Sequence, residues 1–105
     1  MCTKKPSDYL PKLYELLGKL PLSERDLEIQ AKRAAKSVSA NIAGGFAKRF
    51  SEKELKRFLL IAIGSNDEVI SHLRTLIIVY PRLSDESSKL LEEYKILSKK
   101  NKYTP

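Results

Sequence analysis

Residues 51–80 read SEKELKRFLLIAIGSNDEVISHLRTLIIVY, and this stretch decides the fold. Ser51 with Glu54 three positions on makes the S-x-x-E capping box, in which the serine oxygen takes the N–H of the third helical residue. Apolar residues then recur three and four apart: Leu55, Phe58/Leu59, Ala62, Val69/Ile70, Leu73, Leu76/Ile77 and Tyr80. That period is helical rather than extended, and Pro81 stops it. A helix of about 28 residues is roughly 42 Å long. Leu60, Ile61, Ile63, Ile78 and Val79 add apolar surface beside the main stripe. A helix that is apolar over much of its circumference is central in its fold or covered by another subunit.

Outward from this helix the chain is punctuated the same way. On the N-terminal side, Ser23 is an N-cap, with Glu24 and Asp26 in the first turn where acids suit the helix dipole. Ala31, Ala34/Ala35, Val38, Ile42 and Phe46 follow at helical spacing, a stripe of small volume that lets another backbone approach closely. Gly44-Gly45 costs a helix roughly 1 kcal/mol per glycine against alanine, so the helix is expected to end just before or shortly after the pair. Earlier still, Ser7 is a candidate cap for a short helix with Leu10, Leu13, Tyr14 and Leu17 on one face, weakened by Gly18 and closed by Pro21. On the C-terminal side, Ser84 caps a last helix with Leu90/Leu91, Tyr94 and Leu97 as its apolar face, and residues 101–105 read as a frayed tail. The expectation is an all-α chain, one domain over residues 1–105, with helices at about 7–19, 23–47, 51–80 and 84–100. Connections this short join antiparallel neighbours, so the predicted architecture is an up-down-up-down four-helix bundle.

Composition agrees. Of 105 residues, 42% are hydrophobic and 31% charged, a globular balance, and four glycines with five prolines are too few for the turns of an all-β domain. Twenty Lys and Arg against thirteen Asp and Glu give +7, with a pI near 9.6. Such an excess concentrates anionic partners, whether RNA, DNA or anionic membrane, and also serves solubility alone. Cys2 is the single cysteine, so no internal disulfide forms. The first seven residues lack the apolar run of a signal peptide, and the longest apolar stretches, 58–63 and 76–80, are too short to span a bilayer. A cytoplasmic protein without a membrane partner is expected.

Catalytic chemistry finds little material. His72 is the only histidine, which excludes a histidine pair or a Cys/His metal cluster within one chain. Asp67 and Glu68 are adjacent on a helix and diverge by about 100°. Gly44-Gly45 lacks the context of a phosphate loop. No catalytic residue, metal or cofactor is expected. Asn41, Ser65 and Asn66 interrupt apolar faces and are candidates for polar contacts between helices or subunits. The cations cluster instead. Lys32, Arg33 and Lys36 share the outward face of the second helix, and Lys48, Arg49, Lys53, Lys56 and Arg57 surround the turn into the third, against only Glu52 and Glu54. These eight are the candidate nucleic-acid contacts, since phosphate backbones bind such patches without sequence information. Phe46 and Phe50 offer stacking faces for an exposed base, with a core position favoured for Phe46.

Residues 32–46, KRAAKSVSANIAGGF, continued through Arg49, Ser51, Glu54, Phe58-Leu59, Ile61-Ala62 and Gly64-Ser65, resemble a family signature. The chain resembles, from about Leu20 to Tyr80, the four-helix-bundle 23S rRNA intervening-sequence proteins, also labelled S23 ribosomal protein. Gly44 stands where that family usually has glutamate, and Ser39 where it usually has proline. The resemblance implies a bundle assembled as a ring, typically a homopentamer. It extends to the accessory proteins of diversity-generating retroelements, basic bundles that work with a reverse transcriptase and RNA. The leading expectation is therefore a non-enzymatic, ring-shaped homo-oligomer that binds RNA through phosphate contacts. The alternative is a protein-interaction scaffold or accessory subunit, for example of a reverse transcriptase, without direct RNA recognition. An enzyme would need a site assembled between subunits around His72 or Asn41.

Overall fold

In the computed structural model the backbone is described for residues 6–103 and the side chains for residues 8–97. The described residues are helical almost throughout and contain no strand. A 3-10 turn, Pro6–Tyr9, leads into α1, Leu10–Leu17; a second, Leu22–Glu24, leads into α2, Arg25–Ala47; α3 spans Glu52–Val79; a third 3-10 turn, Pro81–Leu83, leads into α4, Ser84–Tyr103. The last helix thus continues through Tyr103, beyond the fraying expected from residue 101.

Helix entry follows local chemistry at α3 and tertiary demands elsewhere. Ser51 Oγ accepts the Glu54 N–H at 3.3 Å, the first half of the capping box. The second half is absent: the Glu54 carboxylate takes Arg57 at 3.0 Å, and the Ser51 N–H donates to the Lys48 carbonyl at 2.9 Å. Ser23 does not cap α2 through its side chain, because the chain enters by a 3-10 turn in which the Glu24 N–H donates to the Pro21 carbonyl at 2.9 Å. Likewise α1 starts at Leu10 rather than at Ser7, with Pro11 in its first turn, where a missing N–H costs nothing. Tyr9, the residue before it, is 4% exposed and packs its ring 5.6 Å from that of Tyr94.

The core lies where all four helices meet. Leu13, Leu16 and Leu17 of α1 pack with Ala31, Ala34 and Ala35 of α2, Val69, Ile70, Leu73 and Leu76 of α3, and Leu90, Leu91, Tyr94 and Leu97 of α4. Eight residues are too few for α1 to be stable alone, so it is held by those three leucines, each at most 1% exposed. The small-residue stripe of α2 brings it close to α3. A Cβ on Gly44 would sit 2.7 Å from Phe58 Cε1, and one on Gly45 3.3 Å from Phe58 Cβ. Both glycines lie inside the helix, which closes two residues later at Ala47.

Polar ties also cross between the helical segments. Asn66, fully buried, donates through Nδ2 to the Tyr94 carbonyl at 2.7 Å. Ser65 Oγ donates to Ser37 Oγ at 2.8 Å. Tyr80, at the end of α3, donates its hydroxyl to Glu24 Oε2 at 2.6 Å, which raises the phenol above its ordinary pKa of 10.0. Asn41 does otherwise: its Nδ2 turns back within α2 to the Ser37 carbonyl at 2.8 Å and Ser37 Oγ at 3.0 Å.

Candidate nucleic-acid interface at the turn between α2 and α3

Four residues, 48–51, connect the two long helices. The Lys48 N–H closes α2 onto the Gly44 and Gly45 carbonyls at 3.1 and 3.2 Å. Arg49 then folds back. Its Nη1 donates to the Phe46 carbonyl at 3.0 Å, capping the helix end as a cation should. In that position the guanidinium lies over two rings, 4.2 Å from the centroid of Phe46 and 4.7 Å from that of Phe50. Phe46 is 65% exposed and Phe50 89%. The expected core position of Phe46 is therefore corrected: α1, with eight residues against twenty-three in α2, cannot cover this end of the longer helix. Arg57 likewise lies over a ring, 4.6 Å from the centroid of the Phe58 ring that rests on Gly44.

The five cations of the turn are not equivalent. Lys56 pairs with Glu52 at 3.3 Å and Arg57 with Glu54 at 3.0 Å, both within α3 at helical spacing. The Arg57 hydrogen bond and charge, aided by Lys48, hold the Glu54 carboxyl below its usual value. Lys48, Arg49 and Lys53 make no ion pair among the described residues, so the unbalanced charge of the turn resides on them. On α2, Lys32 is engaged, 2.9 Å from Glu28 and 4.8 Å over the Tyr14 ring. Arg33 and Lys36 are exposed and, with Ile29 and Lys32, line a shallow open concavity. Arg49 stands between Phe46 and Phe50 in the sequence, but it is the fold of the 48–51 turn that brings its guanidinium over both rings, which counting cations alone passes over.

His72 Nε2 lies 3.5 Å from Glu68 on the same helix. Among the described residues no three His, Cys, Asp or Glu side chains come together to hold a metal ion, and Cys2 lies outside them. A groove between α1 and α4 is lined by Lys12, Glu15, Glu86, Lys89 and Glu93, charges of both signs, and is crossed at its rim by the Lys19–Glu86 pair at 2.7 Å. No helix of the described residues is long and apolar enough to cross a membrane.

No curated protein and no solved structure matches the chain. A family model does, over residues 2–102, almost the whole sequence, and its description is 23S rRNA-intervening sequence protein. The four helices, the close α2–α3 contact at Gly44-Gly45 and the cationic turn are thus features of a chain that belongs to the 23S rRNA-intervening sequence protein family.

Proposed function

We propose that this protein is a non-enzymatic, cytoplasmic, oligomeric RNA-binding protein that holds RNA by phosphate contacts at the α2–α3 turn. The observation that carries the reading is the set of exposed cations there, Lys48, Arg49 and Lys53, which make no ion pair among the described residues. The net charge of +7 adds long-range attraction for a polyanion, and family membership agrees with an RNA context. Arg33 and Lys36 extend the basic surface along α2. Lys32, Lys56 and Arg57 contribute less, because each already has an acidic partner.

The up-down-up-down reading is supported by paired positions. Glu24 with Tyr80, Ser37 with Ser65, and Gly44 with Phe58 rise in number on one side as they fall on the other, the pattern of antiparallel neighbours. Assembly into a ring of identical chains is supported by apolar residues that the single chain leaves open. Leu60 is 68% and Ile78 78% exposed. Eighteen residues separate them, about five turns, so they lie on one line of α3. Between them that line carries Gly64, Asp67, Ser71 and Arg74, so the apolar contacts a second copy would make sit at the two ends.

The same exposed residues favour a second reading, a scaffold that docks a different protein, which predicts salt-insensitive association and negligible RNA affinity. The deciding experiment is RNA binding by a Lys48→Glu/Lys53→Glu variant. Loss of binding with unchanged helical circular dichroism is expected, and unchanged affinity would discard the assignment.

A further inference from the structure

We propose that Phe46, Arg49 and Phe50 form a stacking platform for unpaired nucleotides, so that the RNA taken at this turn is single-stranded. This rests on the RNA-binding reading and specifies which RNA it concerns. Three observations point the same way. First, Phe50 at 89% exposure and Phe46 at 65% are large rings left in water at a helix end where no other element covers them. Second, the rings are held rather than free. Arg49 is anchored by its bond to the Phe46 carbonyl and lies 4.2 and 4.7 Å from the two centroids, so one planar cation orders both phenyl groups. Rings fixed in advance lose little entropy when a base stacks on them. Third, the lysines on either side of Phe50, Lys48 and Lys53, are exposed and make no ion pair among the described residues. The cluster therefore offers an aromatic face beside cations, and a nucleotide presents a π-face beside a phosphate.

Duplex RNA does not fit this arrangement. Its bases are stacked on one another and show only their edges, whereas an unpaired base exposes a full face to an aromatic side chain or a guanidinium plane. A second copy of the chain fits less well than a nucleotide. Each copy carries +7, so closing this end against another copy brings cationic surfaces together. In a two-fold contact Lys48, Arg49 and Lys53 would face their own equivalents.

The test compares three probes, each across the same series of salt concentrations: an oligouridylate of about 12 nucleotides, an abasic ribose-phosphate chain of the same length, and a duplex RNA of that length. Each is titrated with the unaltered protein, with Phe50→Leu, which keeps an apolar side chain and removes the ring, and with Lys48→Gln/Lys53→Gln. The oligouridylate is expected to bind the unaltered protein about ten-fold or more tighter than the abasic chain. Phe50→Leu should remove that preference while leaving duplex affinity and the salt slope unchanged. Lys48→Gln/Lys53→Gln should weaken all three probes together. If Phe50→Leu binds oligouridylate as the unaltered protein does, and the abasic chain binds equally well, the platform is overturned while the phosphate reading stands. If the unaltered protein binds none of the three at low salt, both are overturned. If Phe50→Leu instead lowers the solution mass, the ring belongs to a contact between copies, and the proposal fails. Phe50 lies almost wholly in solvent, so its replacement leaves the core intact.

Discussion

At the scale of single residues, Gly44 shows how a local cost is accepted for a tertiary contact. A glycine inside a helix is about 1 kcal/mol worse than alanine. Here the missing side chain makes room for the Phe58 ring, whose Cε1 and Cδ1 would stand 2.7 and 2.8 Å from a Cβ. Gly44→Ala must displace that ring, and crowding of this kind costs roughly 1–3 kcal/mol. The substitution is expected to destabilise the protein by about 1 kcal/mol net, read by urea denaturation. In a Phe58→Ala background the obstacle is gone, and the same change should stabilise by about 1 kcal/mol. A Gly44→Ala effect of the same sign in both backgrounds would contradict this account.

At the scale of elements, the N-terminus of α3 is held by an ion pair as well as a cap. Arg57 keeps the Glu54 carboxyl below its usual pKa of 4.5. A carboxyl with a lowered pKa in the folded state adds stability that is present above its unfolded value and is lost as pH falls through the folded one. Carbon-detected NMR titration should therefore find Glu54 titrating below 4.5, and Arg57→Ala should return it toward that value. An unshifted Glu54 in the unaltered protein would contradict the pairing. The legibility of the elements follows the same physics. The third helix was readable from end to end because the Ser51 cap, the apolar period and Pro81 all agree. The cap expected at Ser23 was not realised, and α1 begins at Leu10 with Tyr9 at its N-cap position, later than the expected start at Ser7, whose side chain lies outside the described ones. At α2 the Pro21 carbonyl takes the Glu24 N–H, and at α1 the entry is set by the packing of Tyr9 on Tyr94, a contact between residues far apart in sequence. At the basic turn the residues themselves were readable. Their division into paired Lys56 and Arg57 and unbalanced Lys48, Arg49 and Lys53 needed side-chain positions. Phe46 was misplaced because helical spacing gives the face of α2 but not how far α1 reaches along it.

At the scale of the whole molecule, charge and open apolar surface pull in different directions. A chain of +7 repels its copies, and a stable ring needs apolar contacts that outweigh this repulsion. Leu60 and Ile78, exposed at the two ends of one line of α3, are the side chains proposed above to supply them. Leu60→Glu/Ile78→Glu should reduce the mass measured by light scattering to that of a single 12.0 kDa chain with helicity retained. An unchanged oligomeric mass would move the interface elsewhere. Assembly would repeat the cationic turn around the ring, so weak individual contacts would add on one RNA. The central claim is that this turn binds RNA phosphates, and its most direct test is the dependence of RNA affinity on salt. Log affinity for a single strand falls against log salt with a slope near −0.7 for each phosphate neutralised. The unaltered protein should show a steep slope, and Lys48→Gln/Lys53→Gln should make it shallower by about 1.4 per chain engaged. No RNA binding at low salt, or a slope that the two substitutions leave unchanged, would contradict the account.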